Sequence, residues 1–365
     1  MSQTDRTNPK EPWLTFHSLA AEHGDCTVLS YGEADKQYRL VVDAGVGSTA
    51  DRLRCVLESG GDATWELLVV SHIDTDHIGG ILALLEDKSI AGRFSDIWFN
   101  GRQHLDPLGS ESLGVTQGRK LEALLELQGI HWNKAFGKSA VCVQADGRQE
   151  NKVLDSGAEI CLLSPTAKEL ARLRKLWDRA IEVEQKTQKI AGNPPPKPRA
   201  GLEAMGGSIL NLRKLADTTT DLDASATNAS SIAFIFEFHG MRVFFAGDAH
   251  PKVLVASSKL LDASMREGIH IFKLPHHGSA KNVTKELVQA YPATQYVVST
   301  NGKHHDHPDD IAIARVVTAK TGTEVLFNYP GEAYLRWKQL AESSDGEFLV
   351  RAGDGEDGIM VRLIR

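Results

Sequence analysis

Short apolar runs alternate along this chain with helical patterns and turn residues. "TVLSYG" and "YRLVVDAG" are rich in β-branched residues, end at Gly, and predict neighbouring strands. "TADRLRCVLESG" sets Leu53, Val56 and Leu57 at helical spacing before Gly60 and Gly61 stop it. "WELLVV" is apolar on both faces, as a strand buried between layers must be, and "GGILALLEDK" follows it as a helix. "DIWFNG" predicts a further strand and "GRKLEALLELQG" a helix closed by Gly. In the second half, "SSIAFIFEFHGMRVFFAGDAH" reads as two strands joined by a tight turn at His239-Gly240. "IHIFKLPHHGS" and "TQYVVSTNG" add strands that end in polar clusters. A helix over about 309–321 and strands in "TEVLFNY", "YLRWKQ", "EFLVRAG" and "GIMVRLIR" close the chain. Strands in both halves with helices between them predict an α/β fold of two stacked sheets covered by helices.

One region breaks the rhythm. "TAKELARLRKLWDRAIEVEQKTQKI" is a charged helix with Leu170, Leu173, Trp177 and Ile181 along one side, and it runs into the Pro/Gly-rich "AGNPPPKPRAGLEAMGG". Residues of about 166–226 therefore form an expected insertion in a single domain spanning 13–365, after a flexible polar tail over 1–12. That tail lacks the apolar core of a signal peptide, and no apolar segment approaches membrane-spanning length. The expectation is a soluble, cytoplasmic protein with no membrane partner; a protein partner or homo-oligomer stays open. Composition changes the picture little. The 365 residues, 41% hydrophobic, suffice for a substantial core, and a net charge of -7 means a polyanion must be met by a local basic patch or a metal. Cys26, Cys55, Cys142 and Cys161 have no CxxC spacing and read as buried free thiols of a reduced compartment.

The polar clusters carry the chemistry. Each follows directly on an apolar strand: His72 to His77 in "SHIDTDHIGG", Asp248 after "VFFAG", His276 and His277 after "IFKLP", and His304 to His307 after "VVSTNG". Loops beyond strand ends are where a rigid scaffold holds reactive groups. A divalent metal needs lone pairs at about 2.0–2.2 Å from neutral imidazoles and ionised carboxylates. In "HIDTDH", His72 and Asp74 can share one ion, while Asp76 and His77, past the bend, can turn towards a second. Asp248 is the natural bridge, because its carboxylate has two oxygens and Gly247 lets the backbone approach closely. His276 or His277 can close the second site.

These motifs resemble those of the metallo-β-lactamase-fold hydrolases, whose signature loop is usually HxHxDH. The similarity is nearest to the ComEC-type branch, with Asp in the second His position; "NASSIAFIFEFHGMRVFFAGD", "LPHHGSAKN" and "VVSTNGKHHDHPDD" follow in that branch's order, and "AEHGDCTVLSYG" and "LVVDAG" resemble its opening hairpin. The resemblance implies a four-layer αβ/βα sandwich with two divalent ions, Zn²⁺ or Mn²⁺ with Mg²⁺ also admitted, between the sheets. It puts His72 and Asp74 on first-metal positions, Asp76 and His77 on second-metal positions, Asp248 on the bridge and His276 on the last second-metal ligand, with His277 beside it. His307, in "HDHP", falls on a late His-Pro element that contacts substrate or transition state. Asp74 departs from the usual imidazole, and the third histidine of the first metal has no clear match; Asn100 and His104 lie in the right part of the chain.

The reaction that follows is hydrolysis of a phosphodiester, most simply in DNA, by water ionised between two cations, which lower its pKa from about 15.7 to about 7. Asp76, His277 and His307 bear on the chemical step, and Lys273, Ser279, Lys303 and His305 are candidate substrate contacts. Arg172, Arg174, Lys175, Arg179, Lys186 and Lys189 of the charged helix could follow a nucleic-acid backbone. The alternatives are a hydrolase of a small ester, lactone, amide or cyclic nucleotide, with the insertion as a lid, or an effector module activated by a partner.

Overall fold

Leu67 and Val69 face one way and Leu68 and Val70 the other, and all four are inaccessible to solvent. That alternation sets the layering of the whole molecule. The computed structural model describes residues 11–59, 63–104, 117–144, 151–184, 209–304 and 306–365. The N-terminal tail and the Pro-rich stretch lie, but for Glu11 and Pro12, outside the described residues.

Fourteen strands build two sheets among the described residues. The first has β1 (Trp13–Ser18), β2 (Cys26–Glu33), β3 (Lys36–Ala44), β4 (Thr64–Val69), β5 (Phe94–Trp98) and the last strand of the chain, β14 (Ile359–Ile364), in the order β14-β1-β2-β3-β4-β5. The second contains β6 (Lys152–Val153), β7 (Glu159–Ser164), β8 (Ala233–Phe238), β9 (Met241–Phe245), β10 (Ile269–Lys273), β11 (Ala293–Val298), β12 (Thr323–Phe327) and β13 (Phe348–Ala352), in reverse sequence order from β13 to β6. β3, β4 and β5 run parallel, as do β9 through β13; hairpins and antiparallel neighbours occupy the remaining pairings.

Three apolar clusters mark the spaces between layers. Phe16, Leu29, Val42, Leu67 and Val69 meet Phe234, Phe236, Val243, Phe245 and Ile271 between the sheets. Val28, Val41, Leu68 and Val70 face the helices Ala50–Glu58, Thr75–Leu85 and Gln117–Gln128 on one outer side. Ile235, Phe244, Phe272 and Val325 face Leu254, Leu287, Ile313 and Trp337 on the other. The result is a mixed α/β sandwich of two sheets flanked by helices, the layering expected from sequence.

Several boundaries differ from those expectations. The Thr75–Leu85 helix begins inside the acid–imidazole loop, so Asp76 and His77 sit in its first turn and Asp74 at its N-cap. "YLRWKQ" is not a strand but part of the helix Glu332–Glu342. So short a run misleads: Ala333, Tyr334, Trp337, Leu340 and Ala341 recur at helical spacing and pack on the outer core. The hairpin turn is as expected, with His239 and Gly240 both at positive φ between β8 and β9. The four cysteines are free; Cys26 and Cys161 are buried, Cys142 is half-buried, and Cys55, expected to be buried, is exposed. Within the 166–226 stretch, the Ala167–Glu184 helix packs Leu170, Leu173 and Trp177 on Ile73, Ala140 and Cys142. Leu212, Leu215 and Ala216 of the Ile209–Ala216 helix join the outer core.

Candidate metal centre

The carboxyl ends of β3, β4, β9, β10 and β11 open on one rim, and the polar clusters converge there. β4 delivers the 71–77 loop, β9 delivers Asp248, and β10 delivers His276 and His277. Two local features make the convergence possible. Gly247 sits at φ +50, where an added Cβ would come 3.1 Å from Ser231 Cβ and 3.2 Å from Ser71 Cβ. His276 and His277 are both left-handed, at φ 48 and 54, a conformation that costs a non-glycine residue about 1–3 kcal/mol. The double turn sends neighbouring rings into adjacent spaces, with their centroids 6.0 Å apart.

Asp248 divides the cluster in two. Its Oδ1 lies 3.4 Å from His77 Nε2, and its Oδ2 lies 3.7 Å from His72 Nε2 and 3.8 Å from His276 Nε2. On the Oδ1 side, His277 Nε2 stands 3.2 Å from Asp76 Oδ2, and Asp76, His77 and His277 offer ligand atoms to a common point. On the Oδ2 side, His72 Nε2 stands 3.6 Å from Asp74 Oδ2. His276 therefore faces the His72 and Asp74 side, and it is His277 that faces Asp76 and His77. The expected order of the pair is inverted, because the left-handed turn at His276 carries its ring back across Asp248.

The Nδ1 atoms explain why every Nε2 points inwards. His77 Nδ1 donates to Asp43 Oδ2 at 2.8 Å. Ser71 Oγ donates to the same oxygen at 2.6 Å, so the proton shared with His72 at 3.0 Å comes from His72 Nδ1. His277 Nδ1 donates to the Ser299 carbonyl at 2.8 Å and has Asp25 Oδ1 at 3.1 Å. His276 Nδ1 donates to Asn282 Oδ1 at 3.0 Å. Each of four imidazoles thus spends its N–H on an outer partner and presents a bare Nε2 lone pair to carboxylate oxygens. Lone pair facing carboxylate is repulsive unless a cation or a proton lies between. Among the described residues, His72 Nε2, His77 Nε2 and Asp248 Oδ1 are buried with no hydrogen-bond partner. This donor set fits two divalent cations.

Charge in the cluster responds accordingly. Burial alone would raise Asp248 and Asp76, but the imidazoles around them, His77 foremost, hold both well below the usual carboxylate range. Burial likewise opposes protonation of His77 and His277, yet Asp248, Asp43 and Asp76 lift the first, and Asp25 with Asp76 lifts the second to about 9. Without cations the site holds protons between its acids and bases, and a bound metal would displace them.

The remaining candidates divide. Asp74 accepts from Thr227 Oγ1 at 3.0 Å. His307 stands at the mouth, its ring 5.3 Å from that of His276 and its Nδ1 3.7 Å from Asp309 Oδ2. Lys303 is exposed and lines a cavity of about 470 Å³ with His307, Tyr329 and Tyr334. His305 lies outside the described residues. Lys273 does not reach the rim: it is 2% exposed and forms an ion pair with Asp25 beneath the cluster, because β10 turns this side chain inwards between the sheets. Ser279 is also buried, and its backbone closes the turn after the histidines, donating to His276 O at 2.8 Å and accepting from Asn282 and Val283. Neither side chain is open to solvent. Asn100 exchanges two hydrogen bonds with the Val141 backbone at 2.8 Å each, and His104 bonds Gly101 and Asn133 against Trp132, so neither replaces the missing imidazole.

Sequence reasoning passes over Asp25, Asp43, Asp223, Asn228 and Asn282. Asp223 Oδ2 accepts from Asn228 at 2.7 Å and Asn282 at 3.0 Å and lies 3.6 Å from His276 Nδ1. The available signal is weak but present: "GDC" and "VVDAG" each set an acid beside an apolar strand, as "FFAGD" does.

No family model and no curated protein matches the chain. Among solved structures it is similar to the metallo-β-lactamase-fold protein YhfI from Bacillus subtilis, at 10% identity over 97% of this chain and 100% of that one, with a TM-score of 0.39. It is likewise similar to human tRNase Z, short form, at 10% identity over 96% and 98% of the two chains, with a TM-score of 0.41. A long-form RNase Z from yeast matches at 11% identity over 82% of this chain and 38% of that one, with a TM-score of 0.34. Likeness at this level adds nothing to the layering and site geometry described above.

Proposed function

We propose that this protein is a metal-dependent hydrolase that cleaves phosphodiester bonds, with DNA as its substrate. The observation that carries this reading is the inward set of Nε2 lone pairs around the two oxygens of Asp248, a carboxylate buried with His72 and His77. Asp76, His77, His277 and Asp248 Oδ1 would hold one cation, and His72, Asp74, His276 and Asp248 Oδ2 the other. Bound there, two divalent ions supply Lewis acidity towards phosphate oxygens and a lowered pKa for water.

The residues of the chain perform the remaining work. Asp43, Ser71, the Ser299 carbonyl and Asn282 fix the four ring orientations, so no reorganisation is needed when substrate arrives. His277 is 1% exposed, spends its Nδ1–H on the Ser299 carbonyl and turns its Nε2 towards Asp76, which suits it to ligation and not to proton transfer. His307, at the mouth beside His276, is the residue placed to give a proton to the leaving oxygen. Asp74, with its side chain 39% exposed, leaves the Oδ2 side open to an incoming diester.

The test couples metal content to cleavage. Protein loaded with Mn²⁺ or Zn²⁺ is expected to bind two ions per chain and to degrade plasmid or oligonucleotide. The Asp248→Ala protein should lose both properties. Two bound ions with no cleavage of any polynucleotide, and rapid turnover of a small ester or lactone, would reject the phosphodiester reading.

A further inference from the structure

A second cavity, of about 670 Å³, lies between the Ala167–Glu184 helix and the Pro251–Ser258 helix. Lys168 and Arg172 stand one turn apart on one wall, and Lys252 stands in the first turn of the other. None of the three takes part in an ion pair among the described residues. The one acid on that wall, Glu169, is buried and accepts from the Thr166 backbone N–H and hydroxyl. Among the described residues, the cleft therefore presents three uncompensated cations. Its floor is His250, 8% exposed, whose Nε2 is buried and has no hydrogen-bond partner among those residues. His250 is also the N-cap of the Pro251–Ser258 helix, and its side chain does not cap that first turn. An uncapped helix start and three cations around one cavity together suit an anion.

The cleft adjoins the metal centre. His250 Nε2 lies 3.9 Å from Asp223 Oδ2, and the same oxygen lies 3.6 Å from His276 Nδ1. One carboxylate lies between the two, so an anion in the cleft is a neighbour of the reacting group and not the reacting group itself. Val253, Ala256 and Leu260 supply an apolar flank beside the cations.

We propose that this cleft binds the backbone phosphate adjoining the one that is cut, in a single strand of nucleic acid. The proposal rests on the phosphodiesterase reading above and adds to it a requirement for a chain of phosphates. Lys168 and Arg172 flank the phosphate from one helix, Lys252 and the first turn of the second helix receive it from the other, and the apolar flank lies against the sugar. A small diester with a single phosphate cannot use the cleft.

Binding of a fluorescent single-stranded oligodeoxynucleotide to the full chain, followed by anisotropy over a range of salt without added metal, tests this apart from turnover. Each of Arg172→Ala and Lys252→Ala is expected to lower the slope of log affinity against log salt by about 1, and the double variant by about 2. Lys320→Ala, at an exposed position outside the cleft, serves as the control and leaves the slope unchanged. With metal added, KM for the oligonucleotide should rise about tenfold in each cleft variant with kcat held, a larger loss than for bis(4-nitrophenyl) phosphate. An unaltered salt slope in both variants, equal losses on the two substrates, or a wild-type protein that binds no oligonucleotide would overturn the proposal. Cation-dependent binding without cleavage of any diester would leave the cleft standing and remove the hydrolase reading instead. Binding of an acidic peptide in place of the oligonucleotide, with the same dependence on Arg172 and Lys252, would also overturn it.

Discussion

The two sides of Asp248 are built from the same kinds of residue and are not equivalent. On the Oδ1 side, Asp76 is 17% exposed, His77 and His277 are closed to solvent, and three buried groups (Asp43, Asp25 and the Ser299 carbonyl) stand behind the rings. On the Oδ2 side, His72 is closed to solvent but Asp74 is 39% exposed and His276 24%, and the support comes from Asn282, Asn228 and Thr227 together with the Asp223 carboxylate, 3.6 Å from His276 Nδ1. The difference lies in the exposure of the candidate ligands themselves, and an enclosed side chain is held more firmly than one open to solvent. On the proposed reading, the closed side would retain an ion, and the open side would exchange one and admit substrate.

The largest effect tests the divider itself. Asp248→Ala should abolish binding at both sides, seen as loss of both ions by elemental analysis, with activity down by about 10³-fold or more. Next come the two histidines, which separate the sides. His277→Ala is expected to release the tightly held ion, whereas His276→Ala should keep it and weaken only the second, so titration shows one site lost in each and a different one. Equal loss of both ions in either variant would collapse the distinction. Asp43→Asn, directly behind His77 and behind His72 only through Ser71, should weaken the closed side by about 10–100-fold in metal affinity and the open side less.

The smallest effect lies outside both sides and serves as their control. Burial raises Glu122, beneath Gly101 and Gln103, to about 6. For an acid whose pKa is higher folded than unfolded, ionisation opposes folding, so the penalty is absent below about pH 4.5 and complete above about pH 6. Glu122→Gln should therefore be neutral at low pH and stabilising by at most about 2 kcal/mol at pH 7–8, read by denaturant unfolding, with metal content unaltered.

The contrast also explains what can be read from the chain. The candidate ligands are legible because they arrive as clusters: "HIDTDH" and "PHHGS" each crowd several donors behind an apolar strand, and strands of this type have few places to end. The supporting groups are not legible, since Asp43 or Asn282 alone is indistinguishable from a turn residue until the sheet brings it against an imidazole. Lys273 misleads for the converse reason. A lysine at a strand end reads as solvent-facing, yet β10 is central to its sheet and Asp25, distant in sequence, supplies the partner that lets the charge be buried. Which histidine of the pair serves which side depends on backbone dihedrals that sequence does not display. "YLRWKQ" fails because six residues satisfy either period, and only the longer run to Leu340 and Ala341 separates them.

His276 and His277 share one peptide unit, and their rings serve opposite oxygens of Asp248. A lengthened loop, a proline, or any change in the φ of this dipeptide would displace both donors at once, whereas exchange of either ring alone touches one. Adjustment of the centre by drift in loop length is thereby closed at this point, and the route left open is replacement of individual side chains, a restriction that an engineer seeking a one-ion variant inherits directly.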